Sequence, residues 1–341
     1  MKKIIKTLPM IFMILFFSSC GKEDNIYIEK SKIALGTYCS IKVYGTEDES
    51  ILDKCFERID EIEKEMSLNI ELSEIKKINE NAGIGYVEVS SDTLYVLEKG
   101  KYYSEISNGK FDITIGNLSE LWNISGGNTV IPDEDSINKS LNNVDYNNLD
   151  IEYEKSQVSL IEAGMELDLG GIAKGYAADQ VVKILKDNNV DSAIINLGGN
   201  VYILGRKSES TEYRIGIQDP FYKNDDYLGV VQVENKAVIT SGIYERYFEK
   251  DGIIYHHILD TKTGYPIDND LLSVTVITSS SIDGDSLSTL LFAYGLEHGL
   301  EYANSVADID AIFVTKDKEI YLTEGIKEDF ELSDSDYKIM K

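Results

Sequence analysis

Basic residues are scarce in this chain of 341: Lys and Arg number 33 against 60 Asp and Glu, for a formal net charge of −27. Such a balance excludes nucleic acid and anionic membrane as binding surfaces, because both demand a positive face. Cysteine is scarcer still, with only Cys20, Cys39 and Cys55, so no disulfide framework can be the source of stability. A chain this long buries enough core without crosslinks, as one large domain or two intimately packed ones. Nucleotide-binding signatures are missing too. No G-x-G-x-x-G is centred on the glycines at 170–175, and Lys174 is followed by Gly175 rather than the hydroxyl that a P-loop places on magnesium.

The one long apolar run, Leu8 to Phe17, is too short to span a bilayer comfortably. It follows Lys2, Lys3 and Lys6 and precedes Ser18-Ser19-Cys20, the order of an export signal whose cysteine is cut and acylated. Residues 1–19 read as a lipoprotein signal peptide, Cys20 as the lipidated first residue, 20–30 as a polar tether and 31–341 as the folded body. A plain secretory signal, or a free buried thiol at Cys20, is the alternative. At 43% hydrophobic residues the body is a packed globule, not an acidic disordered tail. Cys39 and Cys55 each fall at an apolar position of their element, which favours two buried free thiols over a pair.

The chain is organised around Met165-Glu-Leu-Asp-Leu-Gly-Gly-Ile-Ala-Lys-Gly-Tyr-Ala177. This reads as a short strand carrying Asp168, a turn at Gly170-Gly171 where backbone can touch a ligand, and a helix from about Ala173. Free amides at a helix start favour anions, and the Gly171 carbonyl is available to a cation. Glycine at a strand-to-helix turn also has purely steric uses.

Upstream, Ile33 to Val43 reads as a strand with a bulge or close approach at Gly36. Ile51, Leu52, Cys55, Phe56, Ile59, Ile62 and Met66 recur at helical steps and mark a core-facing helix. Ser73 to Asn79 reads as a short helix, and Ser90 or Ser91 caps another whose stripe is Leu94, Leu97 and Ile106. Lys110-Phe-Asp-Ile-Thr-Ile-Gly116 is strand-like, with Asp112 either a ligand contact or a turn cap. Ser125 to about Asp150, rich in Asn, Asp and Gly, reads as a long surface excursion.

Downstream, Ser192 to Leu204 reads as strand, Gly198-Gly199 turn and strand, with further strands near Tyr213–Gln218 and Leu228–Glu234. His256 and His257 stand side by side; on a strand one faces a site and the other packs. Asp285 and Thr289, four apart on a helix, stack a carboxylate and a hydroxyl within reach of one hard cation, although Asp283 or Asp285 can equally cap that helix.

Together these blocks resemble the FAD:protein FMN transferase, or ApbE, family. The resemblance rests on Leu35-Gly-Thr37, Ser73-Glu-Ile75 with Ile78-Asn79, Gly109 to Asp112, Leu167 to Ala177, Asn196 to Asn200, Thr240-Ser-Gly242 with Tyr244-Glu-Arg-Tyr247, His256 to Asp260 with Thr263-Gly264, and Asp285 with Thr289. They follow one another over roughly residues 31 to 325. The resemblance implies an α+β fold of mixed and antiparallel sheets with packed helices, T-fold-like in architecture. It implies an enzyme that uses Mg2+ to break the FAD pyrophosphate, releases AMP and places FMN on a Thr or Ser of an exported or membrane redox flavoprotein. The implied metal ligands are Gly171, Asp285 and Thr289. Implied flavin-nucleotide contacts are Leu35, Asn69, Lys110, Phe111, Asp112, Asp168, Lys174 and Leu259, and His257 is the implied base.

Phosphoryl transfer asks for a cation on the pyrophosphate, a positive group such as Lys174, and a base beside the incoming hydroxyl, so these residues suit the chemistry independently. Asn69 departs from the family, standing where an aromatic residue often covers the flavin; a smaller polar residue admits water and favours hydrolysis of FAD to FMN and AMP. Thr261 replaces a frequent proline. The alternatives are thus an FAD pyrophosphatase of the same fold and a non-catalytic FAD-binding lipoprotein. Location outside the cytoplasm, anchored by lipid to the bacterial membrane, is the expectation.

Overall fold

β1 (Tyr27–Ala34) and β2 (Thr37–Tyr44) open the fold as a hairpin with Ala34 opposite Thr37. The single strand expected over 33–43 is therefore two strands, and Gly36 is no bulge. Leu35 and Gly36, with φ of 52° and 67°, are the two central residues of a tight hairpin turn whose left-handed backbone matches the strand twist. The computed structural model describes residues 26–208, 210–221 and 226–340. The leader, Cys20 and the first part of the tether lie outside the described residues. Tyr27 to Lys30 belong to β1, with Ile28 buried, so the body starts before the expected boundary at 31.

α1 (Ser50–Met66) buries all seven residues of its predicted stripe. α2 (Glu74–Glu80) starts where the Ser73 hydroxyl accepts from the Lys76 amide. β3 (Val87–Glu88) leads to α3 (Ser91–Ile106), where Ser90 accepts from the Thr93 amide. The buried face of α3 is Val96, Leu97, Gly100 and Tyr103, whereas Leu94 is half-buried and Ile106 exposed. The face turns because Gly100 lets Ile113 approach, which an apolar pattern cannot display.

No strand forms over 110–116 or 165–168. The first run is a turn entering α4 (Gly116–Trp122), and the second meets it through one isolated bridge, Ile115 with Glu166. The stretch read as a surface excursion contains α5 (Glu134–Leu141), capped by Asp133, and the start of β4 (Leu149–Glu152). β5 (Gln157–Leu160) joins β3 and β4 in a small sheet.

Then follow α6 (Ala173–Asp187), β6 (Ala193–Leu197), β7 (Asn200–Leu204), β8 (Tyr213–Gln218), β9 (Tyr227–Val233) and β10 (Lys236–Gly242). β11 (Tyr247–Lys250) and β12 (Ile253–His256) make a separate hairpin. β13 (Leu271–Thr278), α7 (Ser281–Tyr294), α8 (Leu296–Ser305), β14 (Ile309–Thr315), β15 (Glu319–Leu322), β16 (Phe330–Leu332) and β17 (Lys338–Ile339) complete the chain.

The main sheet runs β1-β2-β6-β7-β10-β13-β14-β15-β17, antiparallel except for the final pair. The α+β class with mixed sheets and packed helices is what the structure shows. Helices α1, α6, α7 and α8 cover one face, where Ile41, Ile59, Val181, Val274 and Leu290 share a core. The β16-β9-β8 sheet covers the other through Val231, Val238, Ile277 and Ile312. Covered twice, β13 buries all eight of its residues, with Val274 and Val276 in the helix-side core and Ile277 in the other. A smaller cluster of Leu118, Trp122, Ile137, Phe248 and Leu259 ties α4 and α5 to the β11–β12 hairpin.

Candidate active site

Three backbone features meet at one edge of the main sheet: the Leu35-Gly36 turn, the Gly198-Gly199 turn and the end of β10. The Gly198 amide donates to the Tyr38 carbonyl (3.0 Å), which sets the two turns side by side. β10 extends past β7, whose first residue Asn200 lies opposite Ile239, so Thr240, Ser241 and Gly242 project beyond the neighbouring strand. α7 packs across β10 and β13 here.

The glycine turn is delivered to this edge by hydrogen bonds. Asn79 clamps Leu167 from both sides, Oδ1 accepting its amide (2.8 Å) and Nδ2 donating to its carbonyl (3.1 Å). The Asp168 amide donates to Ile113, and its carboxylate accepts from the Gly170 amide (2.8 Å). A side chain at Gly171 would lie 3.2 Å from the Phe111 ring and 3.8 Å from Thr289 Oγ1, which places the turn against α7.

From α6, Lys174 Nζ donates to the Gly170 carbonyl (3.0 Å) and pairs with Asp285 Oδ1 (3.3 Å). Asp285 Oδ2 accepts from the Gly175 amide (2.9 Å), and the residue is only 4% exposed. Ser241 Oγ is 3.3 Å from Thr289 Oγ1 and 2.8 Å from Ser288 Oγ. A buried carboxylate, a hydroxyl one turn on and the neighbouring Gly171 backbone form a set of hard oxygen donors, countered in the structure by a lysine ammonium. That donor chemistry fits a magnesium ion.

His256 ends β12 and His257 lies just past it, and the two rings part. His256, 4% exposed, uses both ring nitrogens internally: Nδ1 accepts from the Ile258 amide (3.3 Å) and Nε2 donates to the Ile267 carbonyl (3.0 Å). Burial brings its pKa down to about 4. Half-buried His257 sits opposite Arg246, its Nδ1 donating to the Arg246 carbonyl (3.3 Å) and leaving Nε2 free. Crowding by protein, then the Arg246 charge, holds it neutral with a pKa of about 3, and Lys174 adds to that field. Sequence reasoning gave Glu245, between Ser241 and His257 in the chain, no role of its own. Its side chain reaches solvent, yet the protein packed around it pushes the carboxyl up to about 7, with Lys174 opposing and Asp285 reinforcing the shift.

The model of the ApbE family matches residues 35–313. The chain belongs to the ApbE family. It is 38% identical over 318 residues to the FAD:protein FMN transferase of Klebsiella pneumoniae, covering 93% of this chain and 98% of that protein. To the FAD:protein FMN transferase of Treponema pallidum it is 33% identical, over 90% of each chain. Among solved structures, the ApbE protein of Thermotoga maritima superposes with a TM-score of 0.80 at 33% identity, over 89% of this chain and 99% of that one. The flavin transferase ApbE from Vibrio cholerae gives a TM-score of 0.80 at 25% identity, with the same coverage.

Around the cluster, the remaining residues named from the ApbE resemblance differ in what they present. Lys110 Nζ donates to the Ala293 carbonyl (3.2 Å) at a small cleft lined also by Asp260, Thr261 and Ile267. Phe111 is buried edge-on to Tyr103. The Asp112 carboxylate is filled from within, accepting from the Thr114 amide (2.9 Å) and hydroxyl (2.7 Å) and from the Tyr146 amide (3.1 Å). Its turn-capping reading holds. Leu259 likewise buries its side chain in the cluster around Trp122. Leu35 lies in the β1–β2 turn and Asn69 is exposed just past α1, its amide on Ser67 Oγ (3.1 Å). Cys39 and Cys55 are both buried and free.

Proposed function

We propose that this protein transfers FMN from FAD to a Thr or Ser hydroxyl of exported or membrane redox flavoproteins, releasing AMP. The observation that carries this reading is the convergence of Gly171, Lys174, Asp285 and Thr289 on one spot, within the field that also reaches His257. Mg2+ held by the Gly171 carbonyl, the Asp285 carboxylate and the Thr289 hydroxyl supplies Lewis-acid stabilisation of pyrophosphate charge. Lys174 adds a second positive group for the charge that develops on the leaving phosphate.

His257 Nε2 accepts the proton of the acceptor hydroxyl as its oxygen bonds to the FMN phosphorus and the bond to the AMP oxygen breaks. The bond from Nδ1 to Arg246 sets the tautomer for that role. A ring with so low a pKa is a weak base in the free protein, and the anionic pyrophosphate raises it on binding. Positioning of the hydroxyl supplies the rest. A second reading, hydrolysis of FAD to FMN and AMP, draws on Asn69, whose exposed amide side chain offers the flavin no aromatic cover. We further propose that acylated Cys20 anchors the protein on the outer side of the cytoplasmic membrane.

The test incubates the soluble body from Lys22 with FAD, Mg2+ and an acceptor domain, following AMP and the intact mass of the acceptor. An acceptor heavier by one FMN supports the transferase, with Asp285→Ala expected to cut turnover by about a hundredfold or more. AMP release with a panel of unmodified acceptors supports the hydrolase. Undiminished turnover in the Asp285→Ala protein removes that residue from the metal site.

A further inference from the structure

We infer that Asp179 is the positioning residue of the metal-binding helix, fixing the start of α7 and through it the places of Asp285 and Thr289; the inference rests on the metal reading above. α7 begins without a side-chain cap of its own, since Ser280 at its N-cap position makes no such bond. Its first amides are orphan donors that need partners. Asp179 supplies them from another helix: one carboxylate oxygen accepts from the Ser281 amide and the other from the Ile282 amide, each at 2.9 Å. A carboxylate across two N-terminal amides also complements the positive end of the helix.

Asp179 stands four residues after Gly175 on α6, so both lie on one face of that helix. α6 therefore grips α7 at two successive turns, through Asp179 on Ser281 and Ile282 and through the Gly175 amide on Asp285. Asp285 is one turn beyond Ser281 and Thr289 one turn further, so the register of both oxygens descends from the first turn. The network continues into the sheet: Ser281 Oγ donates to Asn200 Oδ1 (2.9 Å), and Asn200 begins β7 directly after the Gly198-Gly199 turn. Asp179 bonds the first amides of α7 and none of the proposed metal ligands. Asp179 acts through α7, as outer-shell groups around metal ligands commonly do.

A cap that merely stabilises the fold is the competing account, and direct metal binding separates the two. Mn2+, read by the electron paramagnetic resonance of the free ion, is titrated into the full-length protein in detergent with FAD present. The proteins compared are the parent, Asp179→Asn, and Ser90→Ala, which loses the cap of α3 at the end of that helix away from the Lys99 and Tyr103 contacts with Asp283 of α7. Asp179→Asn is expected to bind Mn2+ about tenfold more weakly, with kcat at saturating Mg2+ within about threefold of the parent. Ser90→Ala is expected to lower the melting temperature and leave Mn2+ affinity unchanged. Equal Mn2+ affinity in parent and Asp179→Asn overturns the inference while leaving the metal reading intact. A parent that takes up no Mn2+ overturns the metal reading, and this inference with it. Should Asp179→Asn fail to fold, Asp179→Ser removes the carboxylate without setting an amide donor against the α7 amides; Mn2+ binding about threefold weaker or more supports the inference, and parent-like binding overturns it.

Discussion

At His256 and His257 a single step along the chain separates a ring bonded at both nitrogens from one bonded through Nδ1. His256 is bonded at both nitrogens and its folded pKa is about 4 against an ordinary 6.5. Because the folded value is the lower, the unfolded chain takes up the proton first on acidification. The stability tied to this ring is whole above about pH 6.5 and is lost as pH falls toward 4, amounting to about 2 kcal/mol between pH 7 and 5. Asp179, raised by burial to about 6, acts in the opposite sense over an overlapping window. The isolating comparison is therefore with His256→Gln. In urea melts the parent should lose about 2 kcal/mol more than the variant on going from pH 7 to 5. Equal losses would mean a solvated ring. Some of this was legible in the sequence and some was not. Asp285 and Thr289 were readable because helical spacing alone puts both oxygens on one side. Asp112 was left open because Asp-x-Thr looks the same whether it caps or binds, and the Tyr146 amide that decides it lies 34 positions away in the chain.

The elements that sequence periodicity describes are those whose burial has one cause. α1 faces a single core along its length, so its stripe is complete. The runs at 110–116 and 165–168 are buried as apolar residues in a strand would be, yet they pair only through the Ile115 and Glu166 bridge, so apolar content suggested a ladder that does not form. α5 was hidden because only Ile137 of its eight residues is buried. Gly175 falls inside the helix expected from about Ala173, a position that costs about 1 kcal/mol relative to alanine. The structure supplies the reason. A Cβ there would fall 2.7 Å from Ile282 Cα and 2.8 Å from Asp285 Cβ, and would overlap the Ser281 carbonyl oxygen. These are mostly backbone atoms of the opposing helix, which cannot swing aside. Gly175→Ala should gain helix propensity and still lose about 2 kcal/mol of stability or more, since overpacking outweighs it. Thermal melts followed by circular dichroism give the answer, and a variant as stable as the parent would show that the two helices separate easily.

At the scale of the whole molecule, charge and tether act together. The body is strongly acidic, with 60 carboxylates against 33 basic side chains in the chain, so an anionic membrane surface repels it. On the proposal that Cys20 is acylated, attachment comes from the lipid rather than from the protein surface. With β1 beginning at Tyr27, the seven residue steps from Cys20 would reach at most about 25 Å at full extension. A body held that closely would meet acceptors that are themselves on the membrane far more often than acceptors free in solution, because a short tether sets a high effective concentration. Replacing Cys20 by Ala should abolish incorporation of labelled palmitate and move the protein from the membrane to the soluble fraction, while AMP release per molecule of detergent-solubilised protein stays unchanged. Flavinylation of a membrane-bound acceptor in cells should fall, and that of a freely diffusing acceptor domain should not. Palmitate retained by the Cys20→Ala protein would place the lipid elsewhere. Equal losses for both acceptors would mean that the anchor serves export or folding rather than proximity.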